Sequence, residues 1–86
     1  MLIDQINLNH LRIFEAVFRT NSMTDAANEL HLTQSGVSQH MKSLEESIDQ
    51  KLFDRINQKL VPTNAGKELY REVVQSLNGV EQTLQN

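Results

Sequence analysis

The chain contains no cysteine, no tryptophan, one proline, one tyrosine and three glycines in 86 residues. Without cysteine there can be no disulfide framework, no thiolate-ligated zinc and no thiol nucleophile. No apolar run approaches the length of a membrane-spanning helix, so no segment of this sequence is expected to span a membrane. The opening MLIDQINLNH has no basic stretch followed by an apolar one. No signal peptide is therefore expected, and the expected compartment is the cytoplasm. With so little proline and glycine, helices meet few interruptions. A basic excess is missing too: eight Lys and Arg stand against eleven Asp and Glu, a formal net charge of −3. That balance counts against a nucleic-acid partner unless the charge is unevenly spread.

It is unevenly spread. Residues 1–32 carry two basic and four acidic side chains, residues 33–63 carry four of each, and residues 64–86 carry two and three. Two windows have no acid at all. From His31 to Leu44 the only formal charge is Lys42, and from Arg55 to Lys67 the charges are Arg55, Lys59 and Lys67. An anionic partner would tolerate these two surfaces and be repelled by most others. The apolar share of 38% and charged share of 22% are those of a folded domain, and the length allows one small domain.

Local patterns predict a mainly α chain. Asn7 is a plausible N-cap for a first helix over 8–19, where Leu8, Leu11, Phe14 and Phe18 recur at helical spacing and Ile13 and Val17 widen the stripe. Ser22 and Asp25 have the spacing of a capping box before a short helix through Met23, Ala26, Ala27 and Leu30. After a tight connection at His31 and Leu32, Thr33 caps a third helix. Its apolar stripe is Val37, Met41, Leu44 and Ile48, and its opposite face carries Gln34, Ser35, Ser38, Gln39, Lys42 and Ser43. Leu52, Phe53 and Arg55 read as a strand, Ile56 to Lys59 as a turn, and Leu60, Val61 and Pro62 as a returning strand. Thr63 caps a last helix. On it Tyr70, Val73, Leu77, Val80 and Leu84 form an a/d seam that asks for a partner helix, with Gly79 beside it. The expected divisions are a winged helix-turn-helix over 1–63, with the helix-turn-helix at about 23–42 and the wing at about 52–62, and a dimerisation helix over 64–86.

Two helices joined by a short turn, the second polar on its outer face, make a helix-turn-helix. In that motif the second helix enters the major groove of DNA and reads base edges near its N-terminus. Gln34 and Gln39 can donate to and accept from a base at once, which suits adenine best. Ser35 and Ser38 are short and adaptable, and Gly36 lets the helix start lie close to another backbone. The Thr33-capped N-terminus offers N–H groups and a partial positive charge to a phosphate. Lys42, Arg55 and Lys59 would add phosphate contacts, which supply affinity rather than sequence choice. Lys51 reads as ordinary surface, Arg12 and Arg19 as balancing Glu15, and His40 as surface or as a source of mild pH dependence.

Two other classes of function compete with this one. A protein-interaction module built on the same scaffold would draw on the acidic balance and the apolar last helix. Its docking face would normally carry aromatic, Met or Leu anchors, and Gln34 to Gln39 have none. Enzyme activity has no support. His10, His31 and His40 lack metal-ligand spacing, and there is no HExxH, no Gly-rich phosphate loop and no GxSxG.

The run NLNHLRIFEAVFRTNSMTDAANELHLTQSGVSQHMKSLEESIDQKLFDR, with the following LVPTNAG, resembles the N-terminal winged helix-turn-helix of LysR-type transcriptional regulators. The most specific pieces are Phe14 with Ala16 and Val17, then Ser22, Thr24, Ala26, Ala27 and Leu30. Thr33-Gln34, Val37-Ser38, Leu44-Glu45, Leu52-Phe53 with Arg55, and Thr63 with Ala65-Gly66 complete the set. The resemblance implies base and phosphate contacts at Thr33, Gln34, Ser35, Ser38 and Gln39, and a wing approaching the minor groove at Gln58 and Lys59. It implies double-stranded DNA with an interrupted inverted repeat as partner, a homodimer through antiparallel last helices, and a pair of dimers in the full regulator. It implies no cofactor in this domain. A small-molecule effector would bind a larger C-terminal region, and this chain would be either an excised DNA-binding fragment, the favoured reading, or a natural truncation. The chain departs from the family where Ser35 replaces the usual proline, where Gln39 and Gln58 replace frequent arginines, and where Asn57 replaces a common glycine. Fewer arginines imply fewer phosphate contacts and a shallower salt dependence.

Overall fold

A computed structural model describes residues 7–85, with side chains described as far as Gln75. The order of elements is α1 (Leu8–Thr20), α2 (Met23–Leu30), α3 (Gln34–Ile48), β1 (Phe53–Ile56), β2 (Lys59–Pro62) and α4 (Asn64–Gln85). Three helices pack on one another, a two-stranded hairpin follows, and α4 returns against α1 and β2. This is a winged helix-turn-helix with a long trailing helix.

Each early helix begins on a side-chain cap. The Asn7 carboxamide oxygen accepts from the Asn9 N–H at 2.8 Å, and the Ser22 hydroxyl accepts from the Asp25 N–H at 3.1 Å. Each ends on a non-glycine residue in the left-handed region: Asn21 (φ 55°), His31 (φ 59°) and Asp49 (φ 54°). At His31 the reversal lets the Leu32 N–H reach back to the Ala27 carbonyl at 2.8 Å, so α2 stops in a tight turn before α3. Ala26 and Ala27 are buried, and their small side chains bring α2 close to its neighbours.

The core is built from the expected stripes. Leu11, Ile13, Phe14, Ala16 and Val17 of α1 meet Val37, Met41 and Leu44 of α3, and Leu52, Phe53 and Leu60 close the core from the wing. Leu8, which spacing places on the α1 stripe, is 74% exposed. Helical side chains lean toward the N-terminus, and at the first residue of α1 that direction leads off the end of the packed region.

The hairpin turn is tighter than the sequence suggests. Ile56 and Lys59 are not turn residues but pair across the strands, and only Asn57 (φ 53°) and Gln58 (φ 66°) make the reversal. Two successive left-handed residues are what a two-residue hairpin needs to match strand twist.

The start of α4 also differs from expectation. Leu69, absent from the expected seam, is fully buried, and Val73 is 6% exposed. The Tyr70 ring stacks on Phe18 with centroids 4.0 Å apart and planes 10° from parallel. Phe14, Phe18, Phe53 and Tyr70 form one aromatic cluster joining α1, the wing and α4. Tyr70 and Val73 are therefore engaged by their own domain, because the first turns of α4 lie on α1. Leu77, Val80 and Leu84 lie outside the residues whose side chains are described.

Candidate nucleic-acid interface

Helix α3 carries the surface that the sequence singles out. Val37 and Leu44 are fully buried and Met41 nearly so, which fixes the rotation of the helix about its axis. Thr33, Gln34, Ser35, Ser38, Gln39 and Lys42 are then turned to solvent together. The Thr33 hydroxyl accepts from the Gly36 N–H at 3.0 Å, and no acid lies in the first turn to offset the helix's positive end. Gly36 has a local role rather than the one expected. A Cβ there would stand 3.0 Å from Thr33 Oγ1, so the missing side chain leaves room for the cap.

The wing and α3 share a groove. Ser38, Met41, Lys42 and Glu45 of α3 line it, together with Lys51, Phe53, Arg55 and Leu60 of the wing segment and Met23 of α2. The fold thus brings three expected site residues together: Ser38, Lys42 and Arg55. Lys51, read as ordinary surface, lies in the same groove and stands 3.9 Å from Asp54. Lys59 and Gln58 are elsewhere. Arg55 is opposite Leu60 in the hairpin while Lys59 is opposite Ile56, and adjacent strand residues point to opposite faces. Arg55 therefore faces α3, and Lys59 lies on the outer face beside the tip.

The wing base is held from two sides at Leu52. The Glu45 carboxylate on α3 accepts from the Leu52 N–H at 2.7 Å and the Phe53 N–H at 3.4 Å. From the α4 side, the Thr63 N–H donates to the Leu52 carbonyl at 3.0 Å, and the Thr63 hydroxyl donates to the Lys51 carbonyl at 2.6 Å while accepting from the Gly66 N–H at 3.1 Å. A Cβ on Gly66 would fall 2.3 Å from that same Leu52 carbonyl oxygen. Glu45, Thr63 and Gly66 thus position the wing against α3. In the sequence Glu45 stands out only as part of the Leu44-Glu45 match. Nothing in local spacing shows that its carboxylate reaches a backbone seven residues on.

Other charged groups are committed elsewhere. The Arg19 guanidinium binds both Glu15, at 2.9 Å, and Glu29, tying α1 to α2. The hydrogen bond from Arg19 holds the Glu29 carboxyl below its usual range. His40 is not turned toward the groove. It is half-buried against His10 of α1, with ring centroids 5.1 Å apart. Burial first, and His40 second, push the His10 imidazole below its ordinary value. Among the described residues no three His, Asp or Glu side chains form a metal cluster, and no helix is long and apolar enough to cross a membrane.

Comparison with known proteins accords with this arrangement. Residues 8–67 match the family described as bacterial regulatory helix-turn-helix proteins, lysR family. The chain belongs to the LysR family. It is 44% identical over 84 residues to the RuBisCO operon transcriptional regulator of Allochromatium vinosum, a match covering 94% of this chain and 28% of that one. With the transcriptional activator protein LysR of Escherichia coli it shares 41% identity over 76 residues, covering 88% of this chain and 24% of the other. The chain thus spans about a quarter of the length of these LysR-family relatives. Among solved structures, the BenM_DBD/benA site 1 DNA complex superposes with a TM-score of 0.82 at 31% identity, covering 93% of this chain and 90% of that one. The LysR-family relatives named here are regulators of transcription, not enzymes.

Proposed function

We propose that this chain is the sequence-reading head of a dimeric transcription regulator and binds double-stranded DNA in the cytoplasm. The observation that carries the proposal is the α3 surface. Six exposed polar residues, Thr33 to Lys42, flank a capped helix N-terminus and adjoin a groove that collects Lys42, Lys51 and Arg55. Insertion of α3 in the major groove puts Gln34, Ser35, Ser38 and Gln39 at base edges, and Thr33 with the helix N-terminus at a phosphate. Lys42, Lys51 and Arg55 line the adjoining backbone. Gln58 and Lys59 at the wing tip reach the flanking backbone or minor groove. The DNA held by the BenM_DBD relative supports this reading. A protein-docking role for the same surface is disfavoured, because its exposed face has no apolar anchor.

Pairing falls to the later part of α4. Tyr70 and Val73 serve their own domain, which leaves Leu77, Val80 and Leu84 as the seam for a second copy. Two copies joined there place two α3 helices about 34 Å apart, or a multiple of it, on an interrupted inverted repeat. The full regulator then assembles as a pair of dimers, with an effector site outside this chain.

Selection from random duplexes followed by anisotropy titration tests the reading. Recovery of an inverted repeat supports it, and no enrichment even at low salt overturns it. Gln34→Ala is expected to erase about 1–3 kcal/mol of discrimination at one base position. Lys42→Ala is expected to weaken all duplexes alike and lower the salt slope by about one.

A further inference from the structure

The contact between α1 and α3 at His10 and His40 is unexplained by DNA reading. Both rings are half-buried, they come from different helices, and their centroids are 5.1 Å apart with planes inclined at 59°. An imidazole centroid stands about 3.2 Å from a metal bound at the usual zinc–nitrogen distance, so two rings sharing one ion at the tetrahedral angle are about 5.2 Å apart. The observed centroid spacing allows the two rings to share one ion, and is equally that of two packed rings. We propose that His10 and His40 form a two-imidazole site for a divalent transition-metal ion that clamps α1 to α3.

The surroundings narrow the kind of ion. No third His, Asp or Glu joins the pair among the described residues. The adjacent groove is lined by Asn9, Arg12, Ile13, Leu30, Leu32 and His40. It holds no carboxylate, and the Arg12 guanidinium opposes any dication, so binding rests on the two imidazole nitrogens. Calcium and magnesium, which need several oxygen ligands, are excluded. Zinc, nickel and copper(II), which imidazole binds without help from anionic ligands, fit. Because one ligand is on α3, beside Gln39, and the other on α1, the ion binds the folded chain better than the unfolded one. It therefore stabilises the arrangement that presents the reading surface.

The test is thermal unfolding followed by circular dichroism, with zinc or nickel chloride titrated into the chelator-treated chain. The melting temperature is expected to rise with metal concentration and return on adding EDTA. Affinity should fall by at least about tenfold in both His10→Gln and His40→Gln, and remain unchanged in His31→Gln, whose side chain is exposed on the α2–α3 turn. Spectra of the metal-free variants establish that they fold, and side-chain NMR of the histidines gives a readout independent of stability. No shift in melting temperature or in the histidine signals would overturn the proposal and leave the ring contact as packing. Equal loss in His31→Gln, or none in His10→Gln, would overturn it by locating the ion elsewhere.

Discussion

Helix α3 and the wing present neighbouring parts of one surface, yet they are positioned by different physics. Helix α3 is set by local rules. Thr33 caps it, Asp49 in the left-handed region ends it, and the buried Val37, Met41 and Leu44 decide which face looks outward. The wing has only four residues in each strand and would not stand alone in water. It is set by partners distant in sequence: the Glu45 carboxylate, the Thr63 cap and the missing side chain of Gly66, all converging on Leu52. A surface can thus combine an element that its own sequence orients with one that its neighbours must hold.

Four substitutions can break or sharpen that contrast. The largest effect is expected from Leu44→Ala, which empties a fully buried position and should cost about 2–5 kcal/mol in urea unfolding. On the proposed function the folded fraction should still discriminate among duplexes, because the exposed polar face of α3 is untouched. Loss of discrimination at full folding would show that burial does more than set rotation. Next comes Gly66→Ala, where the new methyl meets a backbone oxygen that cannot swing aside. A loss of about 1–3 kcal/mol is expected. A neutral result would mean that α4 can shift away from Leu52 freely. Glu45→Ala should cost about 2 kcal/mol through two unpaired backbone N–H groups. Its more telling readout is the salt slope of DNA binding, which should become shallower as Lys51 and Arg55 leave the groove. An unchanged slope would mean that the wing holds its place without α3. The smallest effect, and of opposite sign, is expected from Gln58→Gly. Gln58 sits at φ 66°, and glycine removes the left-handed cost while adding unfolded-state entropy, for a net gain of about 0.5 kcal/mol. Destabilisation there would assign Gln58 a contact that its backbone angle does not suggest.

The helical half of the fold was legible because its signals are short-range. Asn7, Ser22 and Thr33 each cap the helix that the residues after them begin, and the i, i+3, i+4 spacing of Phe14, Val17, Val37 and Leu44 picks out the core. Spacing is ambiguous where one position can be satisfied in two ways. The seam from Tyr70 to Leu84 has a uniform pattern, yet Tyr70 and Val73 are taken up by Phe18 and the domain core. Spacing cannot distinguish an intramolecular neighbour from an intermolecular one. The sequence suggests a four-residue turn because Asn57-Gln58 lacks the glycine that usually marks a two-residue reversal.

By itself, then, the sequence determined the helices, their caps, the polar outer face of α3 and the acid-free stretches around it, since each depends on residues within a few positions of one another. Only the tertiary structure decided which cations gather beside that face. Arg55 and Lys51 join Lys42 in the groove while Lys59 falls on the other side of the hairpin, and Arg19 is held between two carboxylates of neighbouring helices. The reason is that strand pairing and helix docking, not position along the chain, choose the face on which a side chain emerges and the partner it meets there.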